Sequence, residues 1–207
     1  MDWRSRWWVI GCGVIRFPDC EVAGCSAPAL AQQPTCREHC EDWDRFVASA
    51  HRLLTGSQEL EGLNFTGITL EDVDLGGRLL RGCCFDHATL RRVRLADASL
   101  LQVSLAYATV TELDAPRLTM TACVWARSEL STLELGGSDL LRSNFIAIQA
   151  SDVNFDGSDL SGSRFSWARF ERVSLRDCNL QQVHFVGTEH LTATRMDESN
   201  VQDATLE

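Results

Sequence analysis

The residues best suited to chemistry lie near the N-terminus, where cysteine and histidine recur at short intervals. Cys20, Cys25, Cys36 and His39 form the pattern C-x4-C-x10-C-x2-H. Zinc suits three thiolates and an imidazole in a closed tetrahedron, and four protein ligands leave no open position for an activated water. The spacing therefore predicts a structural Zn²⁺ site and not a catalytic one.

This segment resembles small zinc modules found in many bacterial and phage proteins, including the Gly24-Cys25 pair and Pro28. Cys12 and Cys40 are spare cysteines that could replace a ligand. The other interpretation is that the cysteines are structural and bind no metal. Five of the nine cysteines lie at or before Cys40, which favours a local metal site over a disulfide framework and fits a reducing, cytoplasmic location.

Elsewhere the chain lacks a recognisable catalytic pattern. The five histidines are scattered without a nucleophile motif, and no phosphate-binding glycine loop occurs. We therefore expect no enzyme activity. Among the later cysteines, Cys83, Cys123 and Cys178 are predicted to point into the core. Cys84 is predicted to point outward and is the one to test for reactivity.

A five-residue period organises most of the chain. From Leu60 to Phe185 a large apolar side chain recurs at every fifth residue, in 24 of 26 positions, with Ala115 and Ala150 as the small ones. Between positions 63 and 183 the residue two places earlier is small or apolar in 24 of 25 cases, with Arg78 as the exception. A period of five fits neither a helix nor a flat strand, so the chain must turn every five residues.

With this pattern the sequence resembles the pentapeptide-repeat family. Ser158-Asp159-Leu160-Ser161-Gly162 and Leu63-Asn64-Phe65-Thr66-Gly67 follow the family's repeat closely, and the resemblance covers about 150 of the 207 residues. It implies an all-β solenoid, a right-handed quadrilateral β-helix of about seven coils. Residues 58–207 are assigned to this β-helix and residues 1–57 to a small N-terminal zinc and helix cap.

Three local features modify the regular pattern. Apolar spacing over Glu41 to Thr55 predicts an amphipathic helix, with Gly56 as its stop signal, that covers the N-terminal end of the β-helix. Pro116 predicts a distorted coil. After Phe185 the apolar register slips by one residue, which predicts a bulge near Gly187 to His190, and the last coil is expected to stay uncovered.

The charge of the chain limits its partners. The net charge is −10, all 19 cations are arginine, and the repeats hold 22 Asp or Glu against 13 Arg. This balance argues against direct binding to nucleic acid, which needs clustered cations. No apolar stretch approaches the length of a membrane span, so no membrane association is expected.

Because four repeats of five residues make one coil in this family, residues 20 positions apart lie on the same face, and the repeats divide into four faces. The neutral face, defined by the repeats centred on Phe65, Phe85, Leu105, Trp125, Phe145, Phe165 and Phe185, carries only three acidic or basic side chains: Asp86, Arg127 and Arg164. Its outward apolar residues are Tyr107, Val124, Ile146, Trp167 and Val186. The two acidic faces, centred on Leu70 and on Leu75, include Glu71, Asp72, Asp74, Glu112, Asp114, Glu129, Glu134, Asp152 and Asp156. A nearly neutral side with exposed apolar groups is typical of a contact surface.

Two functions follow from these features. The first is a non-enzymatic protein–protein interaction or scaffold module, in which the neutral face binds a protein partner or in which the neutral face or the uncovered C-terminal end forms a homodimer. A variant of it has Trp3, Trp7, Trp8 and the zinc lobe bind the partner. The second follows from the family resemblance: an acidic, DNA-like rod that binds DNA gyrase, a type II topoisomerase, and gives fluoroquinolone or toxin resistance.

Overall fold

The computed structural model describes residues 16–191 and 194–206. Cys12 and the tryptophans at positions 3, 7 and 8 lie outside the described residues. A short lobe is followed by the helix α1 (Trp43–Gly56) and then by a parallel β-solenoid. Among the described residues no helix is long and apolar enough to cross a membrane.

The solenoid has two parallel sheets in which each strand pairs with the equivalent strand of the next coil, as in Leu60↔Leu80 and Leu90↔Val110. Five strands form the smaller sheet: β1 (Glu59–Glu61), β3 (Leu79–Arg81), β5 (Ser99–Leu101), β7 (Thr119–Thr121) and β9 (Asp139–Leu141). Six form the larger: β2 (Thr69–Glu71), β4 (Thr89–Arg91), β6 (Thr109–Asp114), β8 (Glu129–Glu134), β10 (Gln149–Asn154) and β11 (Arg169–Ser174). The larger sheet shows about six turns, and the bridge Ser174↔Arg195 connects its last strand to one further segment.

The chain turns at the corner two residues after each central apolar residue. Gly67 and Gly77 have positive φ there, and so do non-glycine residues such as Tyr107 (φ 58°) and Trp167 (φ 58°). A left-handed conformation costs a non-glycine residue about 1 kcal/mol. The corner N–H groups donate to the next coil, for example from Tyr107 to the Ala126 carbonyl at 3.0 Å, which offsets that cost.

The interior is one continuous core filled by the central residues. Phe165 stacks between Phe145, with ring centroids 4.7 Å apart, and Phe185, at 5.5 Å. Ala115 is fully buried beside the fully buried Leu118, and Leu113 lies two residues before it. The large and small positions are thus exchanged in that repeat, which keeps the core filled.

Helix α1 extends this core at the N-terminal end. Asp42 caps the helix by accepting from the Arg45 N–H at 2.9 Å, and Phe46, Ala50 and Leu54 are buried in the same cluster as the first coils. Arg78, the exception among the inward positions, donates to the Thr55 carbonyl at 2.8 Å and so satisfies the C-terminal end of the helix. The predicted capping helix is confirmed.

The expected distortion at Pro116 is wrong. The neighbouring bonds keep the standard register, since Asp97 N–H donates to the Pro116 carbonyl at 3.1 Å and Arg117 has the usual corner φ of 56°. At this repeat position the N–H does not join the ladder between coils. In other repeats it bonds an Asn or Asp side chain, as Ile146 N–H does to Asn144 at 2.9 Å. Proline therefore removes no ladder bond here.

The register slip after Phe185 is confirmed. Phe170 N–H donates to the Glu189 carbonyl, whereas Leu175 N–H donates to the Arg195 carbonyl. The chain thus advances one residue more between Glu189 and Arg195 than it does between Phe170 and Leu175. The extra residue therefore lies between Glu189 and Arg195, a segment that overlaps the predicted range, Gly187 to His190, only at its start. The later bonds, such as Phe185 N–H to the Thr205 carbonyl, keep the shifted register.

Candidate functional site

The structure brings together all four ligands that the sequence pattern suggests. The ligand atoms of Cys20, Cys25, Cys36 and His39 lie within 4.8 Å of one another. The Sγ atoms of Cys25 and Cys36 are 3.8 Å apart, and His39 Nδ1 is 3.5 Å from the Sγ of Cys20 and 3.4 Å from that of Cys36. A zinc tetrahedron with bonds of about 2.3 Å to sulfur and 2.0 Å to nitrogen has edges of about 3.8 Å and 3.5 Å. The group could hold a metal ion, and Cys40 is not part of it.

The thiol environment suits metal binding. Burial acts to raise the pKa of Cys20, but hydrogen bonds with the backbone of Val22 and Cys36 and with neighbouring side chains lower it to about 6. Burial raises the pKa of Cys36. The first two ligands are joined by a turn in which Cys25 N–H donates to the Val22 carbonyl at 3.0 Å, and Gly24 adopts a φ of 81°. These hydrogen bonds favour the thiolate form of Cys20, which is the form that binds a metal.

The lobe docks on the first coil of the neutral face. Ala31 N–H donates to the Asn64 carbonyl at 2.7 Å, in the manner of a coil placed before the first one. The side chain of Asn64, which is 2% exposed, donates to the carbonyls of Ala29 (2.9 Å) and Pro28 (3.3 Å). Leu30 and Ala31 join the main core cluster. The lobe therefore continues the solenoid on this face instead of resting loosely on its end.

A groove of about 590 Å³ runs from the lobe along the neutral face as far as the fifth coil. Its wall on the lobe side includes Cys36, Arg37 and Glu38. Small residues such as Ala106 and Ala126 line it on the rod, each 5% exposed. We call this feature the lobe groove.

Planar side chains follow one corner of the lobe groove. The guanidinium carbon of Arg37 lies 3.4 Å from the ring centroid of Trp43. Farther along, His87 stacks on Tyr107, with centroids 5.0 Å apart and planes 10° apart, and Arg127 lies over the other side of Tyr107 at 5.9 Å. His87, Tyr107 and Arg127 all have the positive φ of the repeat corner, which projects successive side chains in one column. The groove edge therefore provides aromatic surface together with two cations.

The predicted contact residues of the neutral face differ in their exposure and in whether they line the lobe groove. Tyr107 and Ile146 line the lobe groove. Trp167 is 67% exposed and Val186 is 37% exposed, beyond the groove. Val124 differs from the expectation, since it is only 9% exposed and packs in a small outer cluster with Ala106 and Ala126.

The prediction that Cys84 points into solvent is wrong. It is 2% exposed, and its Sγ lies 3.4 Å from the Oγ1 of Thr66, which in turn donates to Asn64 at 2.6 Å. The residue is outward in the repeat, but the side chains of the preceding coil cover it. Cys83 and Cys178 are buried in the core as predicted, and burial raises the pKa of each to about 11. Cys123 is also buried.

The acidic faces are crossed by ion pairs between coils. Arg92 bridges Glu71 and Asp72. Arg94 bridges Asp74 (3.5 Å) and Asp114 (3.6 Å). Arg91 lies 3.7 Å from Glu112, and Arg172 binds Asp152 at 2.5 Å. Asp156 accepts from Ser174 and from the Arg176 N–H, and Glu134 accepts from Asn154. Glu129 is exposed. Six of the nine acidic side chains singled out by the sequence thus have an arginine partner, so their charge is largely compensated locally.

Sequence reasoning missed Asn64, Arg37 and the lobe groove itself. Asn64 looked like any other consensus residue of a repeat, and nothing in its type marks it as the contact of the lobe. Arg37 follows a ligand directly, and that position was the available signal. The groove depends on where the lobe docks, which local pattern does not contain.

The repeat geometry agrees with the comparison against protein families. The family described as pentapeptide repeats matches in eight copies, over residues 138–177, 151–187 and 163–207. The chain belongs to the pentapeptide-repeat family. Among curated protein sequences none matches the chain.

Solved pentapeptide-repeat structures resemble this one in part. Rfr23 from the cyanobacterium Cyanothece 51142 has a TM-score of 0.34 at 19% identity, covering 72% of this chain and 98% of that one. Full-length QnrB1, a plasmid-mediated fluoroquinolone resistance protein, has a TM-score of 0.29 at 17% identity, with 69% and 90% covered. HetL, a pentapeptide-repeat protein involved in heterocyst differentiation regulation from Nostoc sp. strain PCC 7120, has a TM-score of 0.24 at 16% identity, with 76% and 93% covered.

Proposed function

We propose that this pentapeptide-repeat protein is a non-enzymatic scaffold that binds a protein partner through its neutral face. The observation that carries the proposal is the combination of the lobe groove with the exposed Trp167 and Val186 on the one face that has few charges. Exposed aromatic side chains beside a groove are typical anchors of protein interfaces. On the acidic faces, by contrast, most of the carboxylates singled out above already pair with arginines of neighbouring coils, which leaves less free charge there for a partner.

The occupant that fits the lobe groove is an extended polypeptide segment with apolar side chains. The small residues Ala106 and Ala126 allow a backbone to approach closely. Five coils at about 4.8 Å spacing span about 19 Å, which is the length of about six residues of an extended chain. Arg37 and Arg127 at the edge favour a segment that also carries a carboxylate.

We further propose that the Cys₃His group binds Zn²⁺ and that the ion is structural. Its four protein ligands complete a tetrahedron, so the ion's contribution is to hold the lobe in shape. The free thiols suit a reducing, cytoplasmic compartment. Metal analysis of the purified protein should give one zinc per chain. A chain purified with intact thiols and no zinc after reconstitution would contradict this assignment.

The experiment for the scaffold compares variants of two surfaces. Trp167→Asp combined with Ile146→Asp places charges on the neutral face, and Glu129→Gln combined with Asp152→Asn changes the acidic faces. We expect proteins captured from the native cell by the wild-type chain to be lost with the first pair and kept with the second. Capture that survives the first pair would contradict binding through the neutral face.

The acidic-rod function is the second candidate, and the net charge of −9 over the repeats favours it. A gyrase supercoiling assay, with and without a fluoroquinolone and over a range of salt concentrations, separates the two. Inhibition or drug protection that weakens with salt and with Glu129→Gln combined with Asp152→Asn would favour the acidic rod. Supercoiling that is unchanged at micromolar protein would contradict the acidic-rod function and leave the scaffold as the supported candidate.

A further inference from the structure

One short turn takes part in both the metal group and the lobe groove. Cys36 and His39 supply two of the four ligand atoms, and Cys36, Arg37 and Glu38 line the groove. The turn is a single 3-10 turn (Arg37–His39) without a side-chain N-cap. So short an element has little stability of its own, and its position depends on what holds its two ends.

Arg37 fixes this turn to the rod. Its guanidinium carbon lies over the ring of Trp43 in α1, 3.4 Å from the centroid, and its Nε is 3.3 Å from the point where a Cβ on Gly67 would lie. Gly67 has a φ of 73°, so a side chain there would be strained and would also press on Arg37. The arginine thus takes the place in the corner column that a side chain of the first coil would occupy.

A second connection runs from the lobe to Cys84. Ala29 accepts from the side chain of Asn64, and Asn64 Oδ1 accepts from both the N–H and the hydroxyl of Thr66. The Thr66 hydroxyl lies 3.4 Å from Cys84 Sγ. Asn64 therefore contacts the lobe through its Nδ2 and Thr66 through its Oδ1, and Thr66 lies against Cys84.

We propose that the binding surface is composite, with the lobe as one half and the rod as the other, and that a metal ion on the four ligands keeps the two halves together. The lobe is then part of the recognition site and not only a cap. With the metal lost, the turn at 36–39 leaves the groove, Asn64 loses its partners, and Cys84 becomes accessible. The meaning of this coupling for partner binding rests on the proposed function, but the coupling itself does not.

Cys84 is a built-in reporter for a test on the full chain. The protein is pulsed with N-ethylmaleimide before and after zinc removal by a chelator, and alkylation is read residue by residue by mass spectrometry. Cys123, an inward thiol of the same rod, is the internal control. Cys25→Ser removes a ligand, and Cys40→Ser removes a nearby cysteine outside the group.

We expect alkylation of Cys84 to accelerate at least about tenfold on chelation and in Cys25→Ser, because local opening precedes reaction. Cys123 should stay slow throughout, and Cys40→Ser should behave like the wild type. An unchanged rate at Cys84 in the metal-free chain would overturn the proposal. Equal acceleration at Cys84 and Cys123 would also overturn it, since the metal would then stabilise the whole rod.

The partner test is separate from this readout. If alkylation follows the metal but the Trp167→Asp, Ile146→Asp variant captures the same proteins as the wild type, the coupling stands and the proposed surface for the partner fails. If both hold, capture should also be lost in Cys25→Ser and kept in Cys40→Ser. Capture kept in Cys25→Ser would show that the lobe is not half of the site.

Discussion

Residues 16–40 and residues 58–206 both bury apolar side chains, but they are held together in different ways. The lobe combines irregular backbone hydrogen bonds, such as Cys20 N–H to the Ala27 carbonyl at 2.9 Å, with the four ligand atoms and the contacts to Asn64 and Gly67. The rod repeats one arrangement, with each coil bonded to the next in the same register. A repeated structure tolerates local exceptions because neighbours supply the same bonds, whereas the lobe has no second copy of any contact.

The largest effect is expected in the lobe, from His39→Ala. Loss of one of four ligands should remove stoichiometric metal from the purified chain, because structural zinc supplies most of the folding free energy of such small modules, on the order of 10 kcal/mol. The far-UV circular dichroism of the rod should change little. Metal content and spectra measured together check this, with His51→Ala on the exposed side of α1 as the control. Retained metal would show that His39 is not a ligand.

A core substitution in the rod should have the next largest effect. Phe165→Ala leaves a cavity between Phe145 and Phe185 and should lower the free energy of unfolding by about 3–5 kcal/mol. Trp167→Ala, two residues away on an exposed side chain, is the matched control and should cost less than about 1 kcal/mol. Denaturation followed by circular dichroism measures both. Equal costs would contradict the assignment of inward and outward positions.

The same contrast explains what could be predicted from the sequence. The period, the inward residues and the slip near Glu189 follow from local spacing, since the apolar residues of each repeat mark which of its positions are buried. The lobe groove depends on how the lobe docks on the rod, and the burial of Cys84 depends on Thr66 in the preceding coil; the five-residue period encodes neither. Pro116 predicts a distortion only if the N–H at its repeat position belongs to the ladder, which the repeat pattern alone does not reveal. The amphipathic spacing over Glu41 to Thr55 predicts the junction, but the role of Arg78 does not follow from its repeat position, because its acceptor is the Thr55 carbonyl at the end of the helix.

The junction between the two regions should respond with an intermediate effect. Arg78→Ala leaves the Thr55 carbonyl without its donor, and a part-buried acceptor without a partner costs about 1–3 kcal/mol. Amide exchange should accelerate in the last turn of α1 while the strands of the rod keep their protection. Arg81→Ala, on the exposed side of β3, is the control. Amide exchange that rises equally in α1 and in the strands would mean that the helix end does not open separately and that the substitution destabilises the whole rod.

The smallest effect concerns a carboxyl group in the lobe groove. Asp86 accepts from the Ser104 hydroxyl and from the Ala106 N–H at 3.0 Å, and Asp156 makes the equivalent two contacts on an acidic face. Burial raises the pKa of Asp86, although the bonds from Ser104 and Ala106 and a contact with Cys84 act to lower it. The folded state therefore holds its proton more tightly than the unfolded state does.

A raised carboxyl pKa contributes stability below the unfolded value, near 4, and this stability is lost as the pH rises through the folded value. A side-chain amide at this position would keep both hydrogen bonds without the buried charge, so Asp86→Asn should gain stability relative to the wild type between pH 4 and pH 7. Asp156→Asn controls for the amide itself and should gain less. Chemical denaturation at several pH values measures both variants. A gain that is absent at pH 7 would show that water reaches Asp86 freely, and the lobe groove would then be open at that position.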